Sequence, residues 1–92
     1  MSSEAGGTTK GNQPELWEKL LDSLDEKLQL ALLEHLRRAA SYHFEHEELF
    51  IEPGSDEDEQ YLKRDSTFQQ LQFLAHDAVG VEKVRIRKYE EK

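Results

Sequence analysis

The sequence predicts a small, mostly α-helical domain of three or four helices, with segments 47–52 and 83–89 as the candidates for a minor β-strand pair. Two observations favour helices: apolar side chains recur every three or four residues, and residue pairs with helix-capping spacing stand at several points. A third observation limits the size, because 92 residues leave room for one small hydrophobic core. The expected architecture is therefore a single α-dominated domain.

The N-terminal residues 1–12 are small and polar, with three glycines, two serines and two threonines. Such a segment buries too little apolar area to offset the entropy lost on ordering, so we expect a disordered tail. Residues 13–92 then form the single small helical domain. Within that domain an acidic loop at 52–59 precedes a basic C-terminal segment at 83–88.

The first predicted helix carries leucines every four residues from Leu16 to Leu24. Ser23 and Glu26 then have the spacing of a capping box, in which each side chain bonds the backbone N–H of the other residue. We favour a helix break at 22–25, where this box would start a new helix. The alternative is one longer helix that leaves the box unused.

The second predicted helix has the strongest periodicity. No proline or glycine interrupts residues 25–48, so the pattern predicts a long helix within this range. Its apolar arc is wide enough to contact more than one neighbour, either in this chain or in a partner. The main apolar stripe consists of Leu28, Ala31, Leu32, Leu36 and Ala39.

The segment 49–51 is either the last turn of that helix or a short strand, because periodicity cannot decide over three residues. Pro53 and Gly54 directly after it predict a turn. Near the C-terminus, Val84 and Ile86 alternate with arginines, which is typical of a strand. This strand needs a partner for its backbone groups, and the alternatives are 49–51 or another chain.

Capping residues predict two further helices. Ser55, with an acidic residue three positions later, fits the start of a short helix, and the alternative is a loop. Ser66 and Gln69 form another capping pair and predict a helix over 67–79. Gly80 fits the left-handed position that follows such a helix.

Composition excludes several functional classes. The chain has no cysteine, which excludes disulfide scaffolds, thiolate zinc sites and cysteine nucleophiles. No apolar run approaches the ~18 residues of a membrane span. The first residues lack the basic start and apolar stretch of a signal peptide, so we expect an intracellular protein, cytoplasmic or nuclear.

The charge is unevenly distributed along the chain. The formal net charge is −8, and residues 47–59 contain seven acidic side chains and no basic one. Residues 60–92 contain seven basic and five acidic side chains. One interpretation is solvated surface that keeps a small domain soluble. The alternative is a charge-complementary docking surface, with the acidic loop meeting a partner that has a basic or apolar surface.

We therefore expect a non-catalytic protein–protein interaction module, either an adaptor or a domain of a larger assembly. An apolar helix face would supply affinity, and the acidic loop would supply selectivity. The sequence contains no P-loop, nucleophile elbow or dinucleotide fingerprint, so we expect neither an enzyme nor a cofactor. The residues expected to contact the partner are Trp17, Glu48, Asp56, Glu57, Asp58, Arg85 and Arg87. For Trp17 the alternative is packing in the core, and it would contact a partner only if exposed.

Two alternative functions rest on the C-terminal segment. Lys83 to Lys88 carries four basic side chains that could contact phosphates, and Tyr89 could stack on a base, as in a nucleic-acid-associated factor. The acidic total charge opposes this reading. Self-association through the predicted C-terminal strand is the other alternative.

Ser55 and two histidines are further candidate sites. Four acidic residues follow Ser55, which is typical of substrates for acid-directed kinases, so Ser55 is a phosphorylation candidate. The alternative is an acidic turn that is never modified. On a helix, His43, His46 and Glu47 would share a face with zinc-binding spacing, but no fourth ligand accompanies them. We therefore expect no metal site.

Overall fold

The structure is a computed structural model that describes residues 10–90. Within that range, the chain forms an α-dominated domain with one small sheet, which confirms the predicted fold class. The elements follow one another in the order α1 (Pro14–Glu26), α2 (Leu30–Arg37), β1 (Ser41–Glu45), β2 (Glu48–Glu52), α3 (Asp56–Leu62), α4 (Asp65–Val79) and β3 (Lys83–Ile86).

The three strands form one sheet in the order β1-β2-β3. β1 and β2 are antiparallel neighbours joined by a two-residue turn, and β2 and β3 are parallel. The pairing of β2 with β3 is the minor strand pair that the sequence predicts. Helices α3 and α4 form the crossover between these two parallel strands.

The long helix predicted within residues 25–48 is wrong in its C-terminal half. Helix α2 ends at Arg37, and the chain then enters β1. The physical reason is a period of two in β1, where Tyr42 and Phe44 pack against the core and the residues between them are exposed. Pairing with β2 satisfies the backbone of this segment, so tertiary structure overrides the helical pattern.

The helix break predicted at 22–25 occurs slightly further along the chain, after Glu26. Helix α1 continues through Ser23 to Glu26, so the capping box around Ser23 is unused. The helix ends because Leu28 N donates to Asp25 O at 3.1 Å and Gln29 N donates to Leu24 O at 2.9 Å. This pair of bonds is a Schellman motif.

Helices α3 and α4 begin and end close to the predicted positions. Ser55 caps α3, since its Oγ accepts from the backbone N–H of Asp58 at 3.1 Å. Helix α4 begins at Asp65, two residues before the prediction, so Ser66 lies inside the helix rather than at its cap. Gly80 follows α4 with φ of 77°, a left-handed conformation that glycine adopts without a Cβ clash.

The core lies between the helices and one face of the sheet. The indole of Trp17 stacks on the ring of Tyr42, with centroids 4.4 Å apart and planes at 3°. Leucines from all four helices meet there with alternate residues of the strands. The buried strand residues are Tyr42, Leu49, Ile51 and Val84, and they all belong to this face.

The chain before α1 lies along the outer edge of β1. Tyr42 N donates to Lys10 O at 2.8 Å, and Phe44 N donates to Asn12 Oδ1 at 2.9 Å. Of the predicted tail, residues 1–9 lie outside the described residues. In the described part of the chain, no helix is both long and apolar enough to cross a membrane.

Candidate interaction surfaces

Three large apolar side chains in residues 10–90 are exposed rather than packed into the core. Leu28 is 77% exposed, Leu30 is 51% exposed, and Phe73 is 67% exposed. Leu28 and Leu30 flank the turn between α1 and α2, and Phe73 lies on the outer face of α4. We call these three residues the apolar patch.

An ion pair connects the two parts of the apolar patch. Lys27 Nζ, next to Leu28, lies 3.5 Å from Asp77 Oδ2, which stands one helical turn after Phe73. Residues four apart share a helix face, so Phe73 and Asp77 point to the same side of α4. The turn that carries Leu28 and the α4 face that carries Phe73 therefore border the same ion pair.

Leu28 stands at a backbone position where another residue, glycine, is usual. Its φ is 59°, at the position of the Schellman motif where glycine is usual. A side chain in this left-handed conformation costs roughly 1–2 kcal/mol. Because Leu28 is also exposed, core packing does not offset that cost.

Acidic residues stand close in the sequence to Leu28 and Phe73 of the apolar patch. Asp25 and Glu26 are exposed and directly precede the turn, and Asp77 follows Phe73 on α4. Lys27 is engaged with Asp77. Asp25 and Glu26 thus add negative charge beside Leu28, whereas the charge of Asp77 is offset by Lys27.

The second surface is the face of the sheet that points away from the core, which we call the open face. The strand registers place His43, Phe50 and Arg85 side by side across its middle. The rings of His43 and Phe50 lie 6.2 Å apart, and Arg85 Nε donates to Glu48 Oε1 at 2.7 Å. Exposed or half-buried charged residues complete this face.

The basic segment runs along the β3 side of the open face. Lys83, Arg85, Arg87 and Lys88 are all exposed. Arg85 is paired with Glu48, whereas no carboxylate among residues 10–90 lies within 4 Å of the charged groups of Lys83, Arg87 or Lys88. Lys83 and Arg87 on this side are thus available to an acidic partner, whereas the charge of Lys88 acts on Glu59 of α3.

A third cluster joins α2 to α3. Asp58 is 2% exposed and accepts two hydrogen bonds from Arg38, with His35 Nε2 3.5 Å from its Oδ1. The imidazole of His35 stacks on Tyr61 with centroids 3.8 Å apart. Burial alone would raise the pKa of Asp58, but the hydrogen bonds and charge of Arg38, together with His35 and Ser55, outweigh burial and lower it.

The structure distributes the predicted partner-binding residues over different environments. Trp17 and Asp58 are buried, so neither side chain is accessible to a partner in this conformation. Glu48 and Arg85 pair with each other on the open face, near Arg87. Asp56 and Glu57 are exposed in the first turn of α3.

The phosphorylation and metal candidates also have defined positions. The hydroxyl of Ser55 is engaged as the cap of α3, and its phosphorylation stays a prediction. The helical arrangement assumed for His43 and His46 is wrong, because His43 lies on β1 and His46 in the hairpin turn. Each imidazole faces Glu45, and residues 10–90 contain no group of three or more potential ligands placed to hold a metal ion.

Sequence reasoning missed the apolar patch. The helical pattern assigned Leu28 to the core stripe of the second helix, and no pattern singled out Phe73 as a surface residue. One signal was present in the sequence: Phe73 is out of phase with Leu71, Ala75 and Ala78, which recur on one helix face. An aromatic residue on the opposite face of such a helix points to the surface.

No protein-family model, curated protein sequence or solved structure matches this chain. Its function therefore has to be inferred from the surfaces themselves.

Proposed function

We propose that the chain is a non-catalytic protein–protein interaction module, an adaptor or a domain of a larger assembly, that binds through the apolar patch. The observation that carries this proposal is the exposure of Leu28 in an unfavourable backbone conformation. Leu28 is a large apolar side chain that is exposed and held at positive φ, so it serves neither the core nor the local backbone. Contact with another protein would bury this side chain, and clusters of exposed apolar residues mark such contact sites.

The expected partner surface has an apolar centre and a basic margin. Burying a leucine or phenylalanine side chain contributes roughly 1.5–3 kcal/mol, so Leu28 and Phe73 are the expected source of affinity. The acidic residues beside Leu28 favour basic groups on the partner. Asp56 and Glu57 on α3 add to the negative field, which mainly increases association rate and selectivity.

Affinity purification of the tagged full chain, with the retained proteins identified by mass spectrometry, tests this proposal. We expect Phe73→Ser to lose a partner that the wild-type chain retains, because the substitution removes an apolar contact without disturbing the core. Lys19→Ser is the matched control, since Lys19 is also exposed in the middle of a helix but lies two turns before Leu28. A partner retained equally by all three chains would contradict binding through the apolar patch.

A second candidate function, a nucleic-acid-associated factor, draws on the open face. Phe50 lies between His43 and Arg85, and an aromatic ring beside a cationic side chain such as Arg85 is suited to stacking with bases. Against it stand the net charge of −8 and the acidic residues on the same face. Nuclease treatment in the purification separates the two functions, because ribonucleoproteins or DNA-bound proteins would then disappear while a direct protein partner would remain.

A further inference from the structure

The two edges of the sheet differ in how their backbone groups are used. Along the outer edge of β1, Lys10 and Asn12 accept hydrogen bonds from Tyr42 and Phe44, and Asn12 Nδ2 also donates to Phe44 O at 2.8 Å. The chain itself therefore covers this edge. In residues 10–90, no comparable segment pairs with the outer edge of β3.

The hydrogen bonds to β2 define which groups of β3 face outward. Lys83 N donates to Glu47 O at 3.4 Å, and Arg87 N donates to Ile51 O at 2.8 Å. Backbone groups alternate along a paired strand, so the N–H groups of Val84 and Ile86 point away from β2. Val84 N is met by Gln72 Oε1 at 3.4 Å, a long bond from a side chain of α4.

The charges beside this edge decide what kind of strand fits it. Lys83, Arg85 and Arg87 recur every second residue, so their side chains share the open face next to the edge. A second copy of β3 paired along this edge would bring two such rows of cations together, which is unfavourable. A strand with acidic residues at every second position would instead oppose the cations.

We propose that the free edge of β3 binds an extended peptide strand in which acidic residues alternate with apolar ones. Its backbone pairs with the outward groups of Val84 and Ile86, as in other cases of strand addition. Its acidic side chains face Lys83 and Arg87 on the open face, and its apolar side chains lie on the side of the sheet that carries Val84 and Ile86. This site does not depend on the apolar patch.

The test uses the full chain and a capped peptide of alternating glutamate and valine. Amide hydrogen exchange followed by NMR is the most specific readout, because strand addition protects the amides that now face outward. We expect the peptide to slow exchange of the Ile86 amide strongly and to leave the amides of α1 unchanged. We also expect Leu28→Asn together with Phe73→Ser to bind the peptide as the wild-type chain does, which keeps this site distinct from the apolar patch.

Two control peptides separate backbone pairing from charge attraction. Alternating lysine and valine keeps the strand pattern but reverses the charge. Alternating glutamate and proline keeps the charge but removes the N–H of every second residue, which disfavours pairing with a strand. We expect neither peptide to protect Ile86. If the glutamate–proline peptide binds the chain as tightly as the glutamate–valine peptide does, the binding reflects charge alone. That result would overturn the proposal.

Variants of the chain test the side chains. Neutralising Lys83 or Arg87 to glutamine is expected to weaken peptide binding roughly two- to fivefold per cation, as for exposed ion pairs. Lys19→Gln removes an equal charge far from β3 and is expected to have no effect. Gln72→Ala removes the group that contacts Val84 N, so it is expected to strengthen binding.

Other occupants of this edge would give distinct results. If single-stranded DNA or RNA binds here more tightly than the peptide and leaves Ile86 unprotected, the cations serve phosphates and the proposal fails. If Ile86 becomes protected with rising protein concentration and no peptide, the occupant is a second copy of the chain, and the proposal also fails.

Discussion

Arg38 at the end of α2 and Asp58 in the first turn of α3 form a two-point ion pair. Arg38 Nη2 donates to Asp58 Oδ1 at 2.9 Å, and Arg38 Nε donates to Asp58 Oδ2 at 3.3 Å. Next to this pair, the chain turns at Gly54, where a Cβ would overlap the backbone carbonyl oxygen of Arg38. The close approach and the ion pair together hold α3 against α2.

Asp58→Ala is expected to reduce the free energy of unfolding by about 2 kcal/mol, because it removes charge-assisted hydrogen bonds at a buried position. The arginine keeps half of its surface in water, since its side chain is 53% exposed, and this limits the loss. Urea unfolding measures the change. Asp56→Ala alters an exposed carboxylate in the same turn and should stay within about 0.5 kcal/mol of the wild-type chain. If both substitutions reduce the free energy of unfolding equally, the ion pair of Asp58 with Arg38 does not stabilise the contact between α2 and α3.

The same ion pair predicts how stability depends on pH. The pKa of Asp58 is lower in the folded chain than its ordinary value, because Arg38, with smaller contributions from His35 and Ser55, outweighs the opposing effect of burial. The stabilisation is therefore fully present above the unfolded pKa of about 3.9 and is lost as pH falls through the folded pKa. The stability difference between the wild-type chain and Asp58→Ala should thus shrink in acid. A difference that is constant from neutral pH down to acid would contradict this assignment.

The turn between β1 and β2 should tolerate a stabilising substitution. His46 and Glu47 both have positive φ, at 51° and 64°, as in the type I′ turn that Asn-Gly fits best. His46→Asn combined with Glu47→Gly is expected to raise the free energy of unfolding by about 1–2 kcal/mol. Thermal unfolding measures the gain. Glu47→Ala keeps a Cβ at positive φ and should not raise the free energy of unfolding. A similar increase from alanine would mean that relief of backbone strain does not explain the stabilisation.

Local patterns in the sequence predicted a large part of the fold. Periodicity located α1 and α4, and the alternation of apolar and charged residues identified β3. Ser55 caps the start of α3 and Gly80 follows the end of α4, as their residue types indicate. These features depend on residues within a few positions of one another. The pairing of β3 with β2 followed because few other segments could serve as its partner.

The missed features depend on positions far apart in the chain or on unusual backbone. The β1–β2 hairpin lacks the Asn-Gly that would have signalled it, because His46 and Glu47 occupy the turn instead. The ion pair of Arg38 and Asp58 joins residues twenty positions apart, which no local pattern indicates. Leu28 was assigned to the core because a leucine at helical spacing usually belongs there, and its exposure follows from where α1 ends.

Leu28→Gly distinguishes a role of Leu28 in binding a partner from a role in stabilising the fold. If Leu28 is kept for binding, glycine should leave the fold intact and raise the free energy of unfolding by about 1 kcal/mol, since glycine suits positive φ. The partner should then bind roughly 10- to 100-fold more weakly, as expected from losing one buried leucine contact. His46→Asn with Glu47→Gly is the matched control, because it relieves similar strain at the hairpin and should retain the partner.

The most direct test of binding through Leu28 is therefore a paired measurement on Leu28→Gly: unfolding of the purified chain, and retention of the proteins that co-purify with the wild-type chain. We expect a fold at least as stable as that of the wild-type chain, together with loss of the partner. A destabilised chain that still retains the partner would contradict binding through Leu28, because Leu28 would then serve the fold rather than the interaction.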